Sequence, residues 1–296
     1  MNANSMCIAC IIAKQEKQIR HFSDEAKKSE YMNQVLKLLY QYGKTESSPW
    51  LAEQVNQIYK SFWGSEEDYT LIKKKYNQLL LNREKEIEQQ IHKSQDAIRE
   101  CIKYVCAANY IDFSAVENVS EQTFETLLEK VSDEANEENL EEYANFRKDL
   151  EKAKKLVYFT DNCGEIVLDK VFIKCIKEVY PQLQITVIVR GENVINDATL
   201  EDAKEVGLTD IVSCIGNGNG APGTVLKRLS KEAKQILLDA DLIISKGQGN
   251  FESLFGEGLN PYYLFLCKCE LFVRRFKLEQ YKAVFMREER IGIDTK

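Results

Sequence analysis

The 296-residue sequence contains no apolar run approaching the roughly 20 residues that cross a bilayer. The stretch 6–13 is apolar, but no basic region precedes it, and Lys14, Glu16 and Lys17 follow it closely. We therefore do not interpret it as a signal peptide, and we expect no membrane partner.

The sequence also lacks an excess of positive charge, because its 40 Lys and Arg residues are outnumbered by 47 Asp and Glu residues, which gives a formal net charge of −7. Proteins that grip a phosphate backbone usually present a basic surface, so nucleic acid is not expected as the main partner. Small phosphorylated anions are compatible with this charge, because a local metal ion or lysine can overcome a mildly negative field.

Histidine is limited to His21 and His92, and the chain has one Cys-x-x-Cys pair, Cys7 and Cys10. A closed structural zinc site needs four ligands, and thioredoxin-type redox chemistry needs the pair at a strand–helix junction. The sequence shows neither context, so packing at a helix start and metal or redox use both stay open for this pair. The nine scattered cysteines predict reduced thiols and a cytoplasmic location.

The first half of the chain has the apolar periodicity of amphipathic helices. The pattern covers 27–42, 51–62, one long stretch over 69–107, and 123–131. Pro49 is expected to open a helix, and we interpret the acidic stretch 117–155 as a solvated helical face rather than a binding tail. We predict a helical bundle or cap domain over residues 1–150.

The pattern changes near Lys154 to alternating strands and helices, without an internal repeat. Predicted strands cover 155–160, 184–189, 210–215 and 240–245, predicted helices cover 165–179, 200–206 and 224–233, and 262–267 or 281–286 could add edge strands. Continuous apolar strands alternating with helices are typical of a parallel sheet buried on both faces. We predict the α/β fold class, with a three-layer α/β/α domain and a mostly parallel, Rossmann-like sheet over residues 151–296.

Polar or Gly-rich segments follow all four of these strands. They are Asp161-Asn162, Arg190-Gly191 with Asn196-Asp197, the stretch 216–220, and the stretch 246–252. Ligands of open α/β sheets bind at the carboxyl ends of the strands, so we expect these segments to meet at one rim.

Asp161, Asn162 and Asp197 offer three oxygen donors at that rim, which suits Mg²⁺ or Mn²⁺. Such an ion would polarise a phosphoryl oxygen and help to activate water. The alternative for each aspartate alone is a helix cap or turn. Lys246 could neutralise substrate phosphate beside a cradle of N–H groups from 247–250, or be an ordinary surface lysine.

Two further patterns are ambiguous. Gly218-x-Gly220-x-x-Gly223 has the spacing of a dinucleotide fingerprint, but Pro222 interrupts it and the first strand–helix turn lacks the glycines, so a loop with tight turns is favoured. Asn109 and Asp112 either cap the long helix or face substrate. A Cys163 nucleophile is disfavoured because no histidine base is near in sequence.

Several ordered segments together resemble the damage-control phosphatase family, long labelled domain of unknown function 89. They are 107–113, 159–162, Arg190-Gly191 with 196–199 and 202–203, and 246–252. Cys7 and Cys10 resemble the branch of the family that carries such a pair. Ala108 departs from the pattern, since a glycine is expected before the asparagine.

The resemblance implies a helical bundle packed on an α/β/α domain, and a divalent metal held by Asp161, Asn162 and Asp197. The ion would be Mg²⁺ or Mn²⁺, with Co²⁺ and Ni²⁺ as alternatives. It also implies hydrolysis of small phosphometabolites, such as sugar phosphates or damaged phosphate esters. Asp161 and Lys246 are the expected catalytic residues, and the expected substrate-binding residues are Asn109, Asp112, Arg190, Lys246, Gly247, Asn250 and Glu252.

Two other functions stay open as alternatives to the phosphatase. One is a nucleotide-cofactor oxidoreductase, and the other is a non-catalytic metal-binding protein that uses Cys7 and Cys10. Within the phosphatase hypothesis, water is favoured over Asp161 as nucleophile, because haloacid-dehalogenase enzymes place a second aspartate two residues later, where this chain has Cys163. The sequence leaves the oligomeric state open.

Overall fold

The protein was analysed as a computed structural model, which describes residues 1–64, 68–110, 126 and 140–292. Asp112 lies outside the described residues, and so does the helix predicted over 123–131, apart from Thr126. Within the described ranges, no helix is both long and apolar enough to span a membrane.

The amino-terminal part is helical, as predicted. Its helices are α1 (Ser5–Ile19), α2 (Glu25–Tyr42), α3 (Ser48–Trp63), α4 (Thr70–Lys93), α5 (Ala97–Ala108) and α6 (Leu140–Lys152). Pro49 lies in the first turn of α3, where a missing N–H breaks no helical hydrogen bond.

The first three helices pack around buried aromatic and aliphatic side chains. The ring of Tyr31 on α2 meets Trp63 on α3 edge-on, with ring centroids 4.7 Å apart. Val35 and Leu51 are fully buried in the same core. Each such side chain contributes about 1.5–3 kcal/mol of burial free energy, which holds the bundle together.

The carboxyl-terminal part alternates strands and helices. Its elements are β1 (Lys155–Phe159), α7 (Glu165–Val179), β2 (Gln184–Val189), α8 (Leu200–Glu205), β3 (Ser213–Gly216), α9 (Lys231–Leu238), β4 (Leu242–Lys246), α10 (Gln248–Leu254), β5 (Tyr262–Leu266), α11 (Glu270–Phe276) and β6 (Ala283–Arg287). Short 3-10 turns occupy 208–210, 226–228 and 288–290.

The described strands form one six-stranded sheet in the order β3-β2-β1-β4-β5-β6. The first five strands are parallel, and β6 pairs with β5 antiparallel. Both segments proposed as edge strands are therefore strands. Of these two, β6 lies at an edge of the sheet, whereas β5 is interior. This arrangement confirms the predicted fold class.

Both faces of the sheet are covered, as the unbroken apolar strands predict. Along β1, Leu156 and Tyr158 belong to one apolar core, while Val157 and Phe159 belong to another on the opposite face. All five residues of β4 are buried. The sheet is thus the middle of three layers.

The stretch 69–107, predicted as one long helix, is two helices. At the break, the Ser94 hydroxyl donates to the carbonyl oxygen of Ile91 at 2.6 Å, and the Asp96 carboxylate accepts from the backbone N–H of Arg99 at 3.2 Å. Serine and aspartate side chains compete with helical hydrogen bonds in this way. The turn lets α4 and α5 both pack against α7.

Two element boundaries also differ from the prediction. The third strand begins at Ser213 rather than at residue 210, because a 3-10 turn occupies 208–210. The helix predicted over 224–233 begins at Lys231, because the Ser230 hydroxyl caps it by accepting from the N–H of Ala233 at 3.1 Å. A local cap overrides the apolar pattern in this segment.

Candidate active site

The predicted site residues that follow β1, β2 and β4 lie at the carboxyl end of the sheet, where the strand order reverses between β1 and β4. The helix after β1, α7, packs on one face, and the helix after β4, α10, packs on the other. Chains that leave neighbouring strands in opposite directions open a crevice, and open α/β sheets bind ligands there.

The loop after β2 folds back against the loop after β1. The N–H of Ala198 donates to the carbonyl oxygen of Asp161 at 2.8 Å, and the N–H of Cys163 donates to that of Asn196 at 2.8 Å. Asn162 and Asp197 form an antiparallel bridge. These backbone bonds bring Asp161, Asn162 and Asp197 together, although 35 residues separate Asn162 from Asp197.

These three residues line one cavity of about 530 Å³. Its wall also contains Cys7 and Cys10 from α1, and residues from α3, from the start of α10 and from the segment after β5. Of the predicted substrate-binding residues that the structure describes, Glu252 contributes to this wall. The cavity therefore joins the helical bundle to the rim of the sheet.

Asp161 is buried and held by two amides. Its Oδ2 atom accepts from the side-chain N–H groups of Asn109 and Asn162, each at 2.9 Å. Burial, and then the charges of Glu165 and Asp197, raise the pKa of Asp161 to about 7. A carboxylate in this position is stabilised by additional positive charge.

Arg190 lies behind the carboxylates and is almost completely buried. Its Nε donates to Asp197 at 2.5 Å, its Nη1 donates to Asn250 at 2.9 Å, and its Nη2 lies 3.6 Å from Asp161 Oδ1. Asn250 is fully buried and also donates to the carbonyl oxygens of Thr160 and Lys246. In this structure Arg190 and Asn250 position the carboxylates, and their predicted contact with substrate stays untested.

Lys246 is fully buried beneath the site. Its ammonium donates to Glu165 and, at 2.9 Å, to Asp169, which also accepts from the Tyr158 hydroxyl at 2.5 Å. Burial alone would lower the pKa of Lys246, but the charges on Asp169 and Glu165 outweigh it and raise the pKa. The structure thus places this lysine in an internal ion-pair group, and its predicted contact with phosphate stays a prediction.

Gly247 follows Lys246 with a positive φ of 81°. A Cβ atom on this residue would lie 2.0 Å from Asp161 Oδ2. Only glycine therefore lets the chain after β4 pass so close to the carboxylate.

Glu252 lies on α10, on the wall of the cavity. Burial raises the pKa of its carboxyl group to about 7, although the positive charges of the amino terminus and Arg275 act to lower it. Its ionisation is therefore poised near neutral pH.

Residues 3–284 match the family model of the damage-control phosphatase ARMT1-like domain. This chain belongs to the damage-control phosphatase family. The resemblance read from the ordered motifs is thereby confirmed, while the branch with the amino-terminal cysteine pair stays a prediction.

Relatives of this family member cover most of its length. A damage-control phosphatase of Archaeoglobus fulgidus is 30% identical over 278 residues, 91% of this chain and 93% of that protein. An uncharacterised protein of Methanocaldococcus jannaschii is 31% identical over 238 residues, 77% of this chain and 76% of that one. The crystal structure of a Pyrococcus horikoshii protein of the domain-of-unknown-function-89 family superposes with a TM-score of 0.80 at 25% identity, and the match covers 97% of this chain and 99% of that one.

Two residues of the site were missed by the sequence reasoning. Glu165 accepts from Asn109 at 3.1 Å and from Asn162 at 3.0 Å, as well as from Lys246. Lys268 follows β5, lines the cavity, and its charge acts to lower the pKa of Asp161. Lys268 follows the end of β5, which is an interior strand. Had the sequence reasoning placed β5 inside the sheet, the expectation of ligand residues at strand ends would have included Lys268.

The donors at the cavity edge fit a hard divalent cation. Asp161, Asn162 and Asp197 offer carboxylate and amide oxygens, the ligand type that Mg²⁺ and Mn²⁺ prefer. The Oδ1 atom of Asn162 accepts from the Asn196 amide at 2.9 Å, which fixes its orientation. Burial, and then the charges of Glu165 and Asp197, raise the pKa of Asp161, so a cation here would stabilise its carboxylate.

The Gly-rich segment after β3 packs closely against the loop after β2. A Cβ atom on Gly191 would lie 2.4 Å from the backbone nitrogen of Gly218, so the loops after β2 and β3 touch through their backbones. The segment leads to the 3-10 turn at 226–228, and α9 begins only at Lys231. A dinucleotide fingerprint needs a helix start directly after the glycines, so this geometry does not support a nucleotide cofactor.

Cys7 and Cys10 lie in the first half of α1, and the Asn4 side chain caps this helix by accepting from the N–H of Cys7 at 3.0 Å. Cys7 is half-buried and Cys10 is exposed. No disulfide links the nine cysteines, all of which lie within the described residues. The role of the pair stays open.

Proposed function

We propose that this protein is a metal-dependent phosphatase that hydrolyses small phosphorylated metabolites, such as sugar phosphates or damaged phosphate esters. The observation that carries the proposal is that Asp161, Asn162 and Asp197 line one cavity in a chain of the damage-control phosphatase family. These three residues would hold the ion, Mg²⁺ or Mn²⁺ in the first instance and Co²⁺ or Ni²⁺ as alternatives.

When bound, the ion would supply positive charge to the phosphoryl oxygens and to a water molecule. The protein's own residues fix the donors. Asn109 holds Asp161, Arg190 holds Asp197, and Asn196 holds the amide of Asn162. Donors held before the ligand arrives need no reorganisation during the reaction, which is the main source of electrostatic catalysis.

Lys268 is our candidate for the cavity cation that binds substrate phosphate. It lines the cavity, and its charge acts to lower the pKa of Asp161. Lys246 does not line the cavity, and its ammonium is buried against Glu165 and Asp169. Gln248, whose Oε1 accepts from the Lys268 backbone N–H at 3.3 Å, and Glu252 also line the cavity and offer hydrogen-bond acceptors to the organic part of a substrate. Hydroxyl groups of a sugar phosphate are donors of the matching kind.

Water is our proposed nucleophile. Asp161 Oδ2 is restrained by two amide donors, and the position two residues later, where a covalent mechanism uses a second aspartate, is the buried thiol of Cys163. Asp161 therefore acts as a ligand in this proposal, and no phosphoryl-enzyme forms on it.

The test is hydrolysis of a panel of phosphate esters by chelator-treated protein, with Mg²⁺, Mn²⁺, Co²⁺ or Ni²⁺ added back. We expect no turnover without metal, restored turnover with at least one ion, and at least about a 100-fold loss of kcat/KM in Asp161→Asn. Asp210→Asn changes an exposed aspartate in the 3-10 turn before the amino-terminal end of β3; it is the matched control and should retain activity. Full activity in chelator, or in Asp161→Asn, would refute the proposal.

A further inference from the structure

A second group of ligand-type side chains lies where the carboxyl-terminal ends of α4 and α7 meet. Donor atoms of His92, Cys175 and Glu178 all lie within 4.8 Å of one another. His92 belongs to α4, and the other two belong to α7. Since α7 also carries Glu165 at its start, this group is about 20 Å along the helix from the candidate active site.

The orientation of His92 favours a cation at this place. Its Nδ1 lies 2.7 Å from the carbonyl oxygen of Glu88, and its Nε2 lies 3.1 Å from a carboxylate oxygen of Glu178. A carbonyl oxygen only accepts hydrogen bonds, so Nδ1 must carry the proton. In the neutral ring Nε2 then presents a lone pair to the carboxylate, and these two acceptors repel unless a proton or a metal ion lies between them.

A backbone carbonyl that fixes the ring through its other nitrogen is the usual outer contact of a metal-binding histidine. The half-exposed side chains of His92 and Glu178 are 47% and 58% accessible, so they can adjust their rotamers. Ligands on a tetrahedral zinc ion, with bonds of about 2.0–2.3 Å, lie within roughly 4 Å of one another. A small rotation therefore converts the observed spacing into a coordination sphere.

The sulfur of Cys175 is buried beside a second thiol. Cys101, which belongs to α5 and is also buried, is its hydrogen-bond partner. The group within 4.8 Å contains one imidazole nitrogen, one carboxylate oxygen and one sulfur atom from two helices, and Cys101 adds a thiol beside that sulfur. A mixed nitrogen, sulfur and oxygen set suits Zn²⁺, whereas Mg²⁺ and Mn²⁺ prefer oxygen alone.

We propose that His92, Cys175 and Glu178 form a zinc-binding site, with the Cys101 thiol as a hydrogen-bond donor to the ligand sulfur. The bound ion links α4 to α7 and, through Cys101, to α5. It stabilises the packing of these helices and does not take part in phosphate hydrolysis.

Cobalt substitution tests this site independently of catalysis. In reduced, chelator-treated protein, added Co²⁺ should give a near-ultraviolet thiolate-to-cobalt charge-transfer band, which an all-oxygen site at Asp161, Asn162 and Asp197 cannot produce. The band should disappear in Cys175→Ser and persist in Cys10→Ser. Absence of the band, or its loss in Cys10→Ser but not in Cys175→Ser, would overturn the proposal.

Variants of the exposed ligands test the site even if Cys175→Ser fails to fold. His92→Ala and Glu178→Gln should each weaken cobalt binding at least about 10-fold. His21→Ala, which removes the other histidine of the chain, is the matched control and should leave binding unchanged. Unaltered affinity in both His92→Ala and Glu178→Gln would exclude this site and leave an ordinary surface ion pair.

Thermal unfolding supplies a second measurement, in an Asp161→Asn/Asp197→Asn background that disables the candidate catalytic ion site. Zinc at about 100-fold excess over its dissociation constant should raise Tm by about 5 °C. The rise should vanish when His92→Ala is added. An equal rise with and without His92→Ala would contradict the assignment, whether or not the protein proves to be a phosphatase.

Discussion

Two groups of buried carboxylates at the rim differ in how their charge is balanced: an inner group, Glu165 and Asp169, and an outer group, Asp161 and Asp197. Glu165 and Asp169 face inward and are paired with the buried ammonium of Lys246. Asp161 faces the cavity, and its nearest guanidinium contact, to Arg190, is 3.6 Å long. Lys246 bonds to both inner carboxylates, whereas Arg190 bonds to Asp197 and lies 3.6 Å from Asp161. We therefore expect the outer group, on the cavity wall, to take up an external cation.

This difference predicts that the inner group supports the fold, whereas the outer group serves the chemistry. A buried ion pair that loses one partner leaves an uncompensated charge, so the inner group controls whether the rim keeps its shape. The pKa of Asp161 is raised because burial and the charges of Glu165 and Asp197 outweigh those of Lys268 and Arg190. Substitutions in the two groups should therefore fail in different assays.

The largest expected effect is on activity, from Asp197→Asn. The amide oxygen can still accept from Arg190, so the fold should be kept, but a charged metal donor is removed. We expect kcat/KM with Mn²⁺ or Mg²⁺ to fall at least about 100-fold, while circular dichroism stays that of the wild type. Retained activity would remove Asp197 from the outer group.

Lys246→Met should act on stability instead. It leaves Glu165 and Asp169 buried without their cation, and we expect a loss of about 3–5 kcal/mol of unfolding free energy in urea. Lys268→Met, in the cavity wall, is the matched control, with an expected loss within about 1 kcal/mol and a raised KM. Equal small losses in the two variants would contradict the division into inner and outer groups.

Gly247→Ala probes the contact between the chain after β4 and the outer carboxylate. The new Cβ would collide with Asp161 Oδ2, and the backbone would be strained at its φ of 81°. Gly256→Ala shares the positive φ, at 85°, but its Cβ meets no described atom within 4 Å. Strain should destabilise both by about 1–3 kcal/mol, and only Gly247→Ala should also lower kcat/KM, on the order of 100-fold.

The smallest expected effect is a pH dependence of the metal-free protein. Because the folded pKa of Asp161 is about 7 and an unfolded aspartate titrates near 4, the folded state binds more protons between these values. Its contribution to stability is complete below about pH 4 and is lost as pH rises toward 7. Melting curves of metal-free protein should show this decline, and Asp161→Asn should reduce it; an unchanged decline would show that other groups cause it.

Much of the rim could be predicted from the sequence, because strand ends in a parallel sheet converge by topology. Asp161 and Asp197 were placed together on that basis alone. The roles of Arg190, Asn250 and Lys246 could not be read in the same way. A strand-end residue points either into the crevice or under it, and this direction depends on which partners are buried beside it.

The missed features have physical reasons as well. Glu165 lies at the start of an amphipathic helix, where an acidic residue is expected as an ordinary first-turn group. The break at Ser94 and Asp96 was hidden because apolar spacing continues across it, while side-chain caps decide where the backbone turns. At Ser94 and Asp96, local hydrogen bonding thus overrides the apolar periodicity.

The backbone bridge between Asn162 and Asp197 has one more consequence, for the choice of ion. Because hydrogen bonds fix the spacing of the two loops, the donor atoms have little freedom to spread apart around a larger cation. Ca²⁺ needs longer bonds and more ligands than Mg²⁺. We therefore expect the rim to discriminate against calcium by size, before any difference in chemical reactivity arises.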